Sequence, residues 1–337
     1  MNLRDKELMG PRQISIISRV DSERRPSKAH IDIRYGDRLF SWIVWALGLG
    51  IILLMAALVF ELIRMSMPIL SKFGFSFLWG TEWNPVTEEF GALPFIFGTV
   101  VSSLLALLIA TPLSVGVALL LTDIVPKGVG TLFGFLIEML AAIPSVVYGI
   151  WGIYVLAPFL RDFVEPWLGK NLGFLPLFQG PPFGVGMMAA ALILAVMIIP
   201  TILAICREVF KAIPVTQREA ALGLGATRTE MMWIAVLAES KLGIFGAVIL
   251  GLGRAFGETM AVTMVIGNRA QISASLFSPA QTMASLIANE YTEATSDFHL
   301  SALAAIGLSL FLVSLLINAL AFLVVRQFAV SKNGGRR

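Results

Sequence analysis

The chain has 337 residues, 57% of them hydrophobic and only 14% charged, with a net charge of +3. A soluble domain is about half apolar and about a quarter charged; here the apolar excess is gathered into long runs, which excludes an ordinary soluble domain and predicts an all-α polytopic membrane protein. Cys206 is the single cysteine, so no intrachain disulfide can form, and His30 and His299 lie too far apart to offer metal-ligand spacing.

Residues 1–39 mix both charge signs and contain "RRPSK", the pattern of a partly disordered tail, with "ISIISRV" as a candidate amphipathic surface helix. A membrane-crossing helix needs about 20 apolar residues. Ser41–Phe60 is the first such run, within a first transmembrane segment drawn at 40–63. Its apolar region is too long, and too much chain precedes it, for a cleaved signal peptide. Residues 64–96 then read as an external loop. The later runs are Ala92–Leu121, Val129–Leu160 (interrupted by Glu138), Phe183–Cys206, Leu242–Asn268 and Leu300–Val325, giving six transmembrane helices in all. Pro112, Pro144 and Pro200 predict kinks or local openings whose freed carbonyls need partners. Glu138, near one end of its run, reads as a capping or pairing residue.

Lys and Arg set the orientation. Residues 1–40, 122–128, 206–241 and those from Arg326 onward hold nineteen, against five in the alternate loops (Arg64, Lys72, Arg161, Lys170, Arg269). Both termini are therefore expected in the cytoplasm, with 327–337 a cytoplasmic tail. Trp79, Trp83, Trp151, Tyr154, Trp167 and Tyr291 sit at or near span ends as interfacial anchors, though Trp151 and Tyr154 serve equally well as packing residues.

The segment 207–239 is the most informative outside the membrane. Pro214 breaks one helix from the next, Thr216 is a candidate N-cap, and Gln217–Leu222 are good helix formers. Gly223 and Gly225 weaken or end that helix, where a left-handed residue fits. Thr227 can cap a further helix with Glu230 as its capping-box partner. Two short helices along the membrane face fit this pattern, and so does an ordinary hairpin linking two spans.

"LGLGRAFGETMAVTMVIG", Leu250–Gly267, places Arg254 and Glu258 inside an apolar run. On a continuous helix Gly253, Gly257 and Ala261 form one small-residue stripe suited to close helix packing. Arg254 and Glu258 lie beside it, four apart, so their heads can meet. Arg254 sits about 20 Å of helix rise beyond Lys241, near mid-membrane, where a lone arginine costs about 2.5–3.5 kcal/mol and must face a partner or a wet cavity. Two readings stand: a buried salt bridge that fixes packing, or an anion pathway in which Arg254 meets the substrate and Glu258 holds it and moderates its grip. A pathway needs favourable entry and easy exit.

The chain carries no Gly-x-x-x-x-Gly-Lys-[Ser/Thr] loop, so it is not expected to hydrolyse ATP. A membrane-embedded enzyme would need a nucleophile with a base, or clustered metal ligands; no catalytic or metal site is expected. An ion channel fits the topology but leaves 207–239 unexplained.

"EAALGLG", Glu219–Gly225, resembles the EAA loop of ABC-importer permeases, although Leu237 is followed by Ala238 where that motif usually ends in Leu-Pro. "ATPLSVGVALLLTD", "EMLAAIPSVVYGIWGIYVLAP" and "GLGRAFGETMAVTMVIGN" resemble the phosphate-importer permeases, the PstC-type subunit more than its PstA-type partner. This resemblance covers about 40–326 and implies a type I ABC importer permease fold, with a permease core at 97–326 and an ATPase-coupling element at Glu219, Ala220, Ala221 and Gly225. It implies a subunit of a bacterial inner-membrane phosphate importer that forms half of the pathway. The expected partners are a homologous second permease, two ATPase subunits carrying ATP and Mg, and an external phosphate-binding protein. Inorganic phosphate and membrane lipid complete the list; no nucleic acid is expected. Importers of sulfate, molybdate or tungstate are the nearest alternative.

Overall fold

The structure, a computed structural model, describes residues 33–334. The expected disorder of the tail lies outside the described residues as far as residue 32, as does the "ISIISRV" helix; residues 33–39, counted with that tail, are instead helical. Among the described residues six helices are long and apolar enough to cross a membrane, as the hydropathy pattern predicts.

Helix α1, Ile33–Phe73, is longer than the predicted first span. "ELIRMSM" after Phe60 keeps good helix formers in register, and Arg64 pairs with Glu61 one turn back at 2.6 Å. The expected loop 64–96 therefore begins as helix. A 3₁₀ turn, Gly74–Leu78, and a two-stranded hairpin follow, with β1 (Trp83–Asn84) pairing antiparallel to β2 (Glu89–Phe90). Asn84 Oδ1 accepts from the Val86 amide at 2.9 Å and fixes the turn.

Helix α2 is Leu93–Leu119 and continues as a π turn, Leu120–Ile124. The predicted span Val129–Leu160 is corrected: Ala142–Pro144 divides it. Helix α3, Lys127–Ala141, is a separate short helix, and the crossing helix is α4, Ser145–Leu172, which contains two π segments. Pro144 has no N–H to continue the preceding helix and takes an extended conformation (ψ 139°), so the break falls there. Pro112 and Pro200, by contrast, sit inside unbroken helices.

Helix α5 is Met187–Lys211, and α6 is Val215–Gly223. Helix α7, Arg228–Gly257, is a single long run containing a π segment, Met232–Leu237. The second of the two expected surface helices is therefore the start of this span. The predicted span Leu242–Asn268 ends early, at Gly257; α8, Met260–Val265, is a separate piece. Helix α9, Met283–Glu290, and α10, Asp297–Gly334, complete the chain, so α10 runs well past Val325 into the expected tail.

The described residues divide into two units, with the boundary between Leu58 and Val59. In the first, side chains from Gly36 to Leu58 are exposed, as lipid-facing residues are. The second holds the core. Helix α5 is its centre: 67% of its apolar window is buried, against 28% for α2 and α7, which pack on it. Ile193, Ile198, Ile202, Leu203 and Phe210 are fully buried along it. Small residues allow the approach. A Cβ at Gly251 would fall 2.8 Å from Ile202 Cδ1, and Ser114 on α2 donates to the Ile199 carbonyl at 3.2 Å.

A second cluster, built on Ile69, Phe77, Phe90, Phe95, Met283, Leu286 and Ile306, holds the hairpin. Trp83 is corrected here. It packs on Phe90, Phe95 and His299 and donates to Glu290 at 2.9 Å, and the same Glu290 oxygen contacts His299 Nε2 at 2.8 Å. Trp83 is thus a packing residue, whereas Trp79, Tyr154 and Trp167 are exposed.

Candidate functional site

Arg254 lies one turn before the end of α7, where the partial negative charge of the last carbonyls favours a cation. Its Nη1 donates to Thr201 Oγ1 at 3.3 Å. Thr201 stands near the middle of α5, so Arg254 is level with the centre of the most buried helix.

The expected meeting of Arg254 and Glu258 does not occur. The pairing assumed a continuous helix, but Glu258 is extended (φ −72°, ψ 123°), which turns its side chain off the α7 face. Its Oε1 accepts from the Ala261 amide at 3.2 Å and so caps α8. Thr259 Oγ1 donates back to the Gly257 carbonyl at 3.3 Å. Polar side chains that bond nearby backbone offer it an alternative to helix, and Glu258 and Thr259 do so here. Among the described residues no ion pair joins Arg254 to Glu258.

The small-residue stripe is divided by the same break. Gly253 and Gly257 are exposed, and an added Cβ would meet nothing within 4 Å. The packed face of α7 is instead Ala247, Gly251, Leu252, Ala255 and Phe256. Ala261, fully buried, lies against Gly149, where an added Cβ would come 3.1 Å from its Cα. Arg254, Gly257 and Glu258 thus border an interrupted helix beside an open face. Irregular backbone at membrane depth is stable only when buried in protein or lining a wet cavity.

Around α6 the N-cap is Pro214 rather than Thr216, because its extended conformation (ψ 137°) already ends the preceding turn. Glu219 and Ala220 are exposed and Ala221 is half-buried against the core. Gly225 takes φ +90°, and Thr227 and Glu230 form the expected capping box. Val215, Leu222 and Leu224 are exposed, the last 91% so, which leaves an apolar rim around Glu219. Arg218 faces the other way and contacts Asp123. Glu138 has a partner that its sequence neighbourhood did not reveal: Arg207 on α5 donates to it at 2.9 Å.

Residues 115–330 match the family model described as binding-protein-dependent transport system inner membrane component. The chain belongs to this family. It is a permease component, not an enzyme, and the six apolar helices suit a multi-pass inner-membrane protein. A protein of Mesorhizobium japonicum named phosphate transport system permease protein PstC is 46% identical over 85% of this chain and 88% of its own length. One of the same name from Haemophilus influenzae is 41% identical over 91% and 98%. A chain in the crystal structure of a bacterial alginate ABC transporter, in complex with an alginate pentasaccharide-bound periplasmic protein, shares the fold. It matches at a TM-score of 0.59 with 17% identity, over 88% of this chain and 98% of its own. A permease of this family works with partner subunits and a periplasmic binding protein.

Within the permease, sequence reasoning singled out Arg254, Glu258 and the α6 region and did not single out Thr201, Arg218 or Asp123, which the structure places against Arg254 or at α6. Thr201 and Asp123 carry no local signal; each acquires its partner from a helix distant in sequence.

Proposed function

We propose that this chain is the transmembrane permease subunit of an ATP-driven inorganic phosphate importer and forms half of the translocation pathway. The observation that carries the reading is Arg254: a cation level with the middle of α5, hydrogen-bonded among the described residues to the neutral Thr201 hydroxyl, beside an interrupted helix and an open face. A guanidinium presents a planar fork suited to two oxygens of one anion. The names of the relatives at 41–46% identity support phosphate as that anion. Glu258, one turn on, supplies a compensating negative charge that keeps binding weak enough for release.

In this reading both termini and α6 lie in the cytoplasm, as the distribution of Lys and Arg favours. A homologous PstA-type permease covers the open face of Gly253 and Gly257. Two ATPase subunits bind ATP and Mg, and one of them docks on the exposed Glu219–Gly225 surface. An external binding protein delivers phosphate. ATP binding closes the ATPases, pushes on the coupling helices and opens the spans alternately to either side. Uptake of radiolabelled phosphate by membranes reconstituted with and without this chain, with sulfate as competitor, tests the reading. Phosphate uptake that depends on the chain and resists sulfate is expected; uptake suppressed by sulfate would favour another oxyanion.

A further inference from the structure

Arg218 is the residue immediately before Glu219, yet it points the opposite way. Its side chain is only 16% exposed, and its partner Asp123 only 5%. Nη1 donates to the Ile213 carbonyl at 2.9 Å and Nη2 to the Phe210 carbonyl at 2.7 Å. These oxygens belong to the C-terminal end of α5 and the turn after it, where carbonyls lack intrahelical donors. Nε lies 3.0 Å from Asp123 Oδ1 but off the N–H direction, a charge contact rather than a hydrogen bond. Asp123 is itself held, its Oδ2 accepting from Thr122 Oγ1 at 2.9 Å, in the π turn that ends α2. One planar group on α6 therefore touches the ends of two spans at once, and among the described residues these two spans make the most extensive helix–helix contact.

We propose that Arg218 is the positioning residue that fastens α6 to α2 and α5, so that displacement imposed on the exposed face of α6 is delivered to both spans together. This rests on the reading of α6 as the ATPase-facing element. The corner between α5 and α6 is only Ala212–Pro214, so backbone alone ties α6 to α5, and no backbone ties it to α2. The Asp123 contact supplies the second attachment. A rigid fork suits the task because three contacts fix its orientation, whereas a lysine ammonium would act as one flexible point charge.

The test uses the assembled complex of this chain with its second permease, ATPase subunits and binding protein. The variants are Arg218→Met, Arg218→Lys and Asp123→Asn. Two quantities are read: phosphate moved per ATP hydrolysed, and the ATP-dependent change in mobility of a spin label on Ile124→Cys, at the end of α2. ATPase subunits should still co-purify with Arg218→Met, since Glu219, Ala220 and Leu222 remain exposed. Transport per ATP should fall roughly tenfold, within the usual range of a coupling free energy between sites, and the label should stop responding to ATP. Arg218→Lys should stay close to Arg218→Met. Asp123→Asn, which spares the two carbonyl bonds, should fall less but in the same direction. It decides alone if Arg218→Met does not assemble. Wild-type transport per ATP and a normal label response in Asp123→Asn would overturn the proposal. So would losses that merely track the amount of assembled complex. A failure of the phosphate reading would appear separately, as no phosphate uptake by the unaltered complex, while the label response does not depend on the solute.

Discussion

Arg254 on α7 and Thr201 on α5 meet at 3.3 Å, guanidinium to hydroxyl, with both residues half-buried near the middle of α5. A neutral acceptor leaves most of the arginine's donors free for an anion. Thr201→Val keeps the shape and removes the acceptor. The expected loss is about 1.5–3 kcal/mol of positioning, as for a hydrogen bond to a charged group. Assembly should be normal, with a several-fold lower initial rate of phosphate uptake. Concentration-dependent uptake in vesicles checks it, and an unchanged rate would count against Thr201 as an anchor.

Glu258 has two separable roles, and two substitutions separate them. Glu258→Gln retains an oxygen for the Ala261 amide, so the start of α8 should persist. Glu258→Ala leaves that amide unpaired, at a cost of about 1–3 kcal/mol. Thermal unfolding in detergent should therefore distinguish Ala from Gln. Phosphate flux should fall in both, because both remove the carboxylate proposed to moderate the grip of Arg254. Full flux in Glu258→Gln would leave Glu258 as a cap alone.

Two glycines should respond in opposite ways to the same change. A Cβ at Gly98 on α2 would collide with the Gln281 carbonyl oxygen, a backbone atom that cannot swing aside. Gly98→Ala should destabilise by about 1–3 kcal/mol, the usual cost of overpacking. Gly253→Ala meets open space, and alanine's helix propensity exceeds glycine's by about 1 kcal/mol. The isolated chain should then be no less stable than wild type. If the homologous permease closes on this face, the same variant should weaken association of the two permeases. Melting temperature and subunit co-purification read the two effects separately.

Gly225 follows α6 at φ +90° with nothing within 4 Å of an added Cβ. Only the backbone conformation is at stake there. Gly225→Val should cost about 1–2 kcal/mol of local strain, redirecting the chain between α6 and Thr227. ATPase attachment should weaken while the spans stay folded, which co-purification and circular dichroism can check.

What was legible in the sequence follows from the range of the interactions involved. The six spans, the left-handed Gly225 and the Thr227–Glu230 box are set by runs or spacings of a few residues, and the structure contains them. The extension of α1 to Phe73 was obscured because its polar residues look like loop, although they continue a helix. The division at Pro144 was visible as a kink but not as a change in which segment crosses. The Arg254–Glu258 pairing failed for a local reason: four-residue spacing brings heads together only on an unbroken helix, and Glu258 and Thr259 bond the backbone instead. Arg254–Thr201, Arg207–Glu138 and Arg218–Asp123 join residues far apart in sequence, so no local pattern announces them.

The central claim, that Arg254 meets the transported anion, is tested most directly by phosphate uptake in Arg254→Lys. Lysine keeps the charge and loses the planar fork. The account predicts an assembled complex with basal ATP hydrolysis retained and phosphate flux reduced by roughly tenfold or more, as when a charge-assisted contact of about 1.5–3 kcal/mol is lost. Wild-type phosphate uptake by Arg254→Lys, at wild-type assembly, would contradict it.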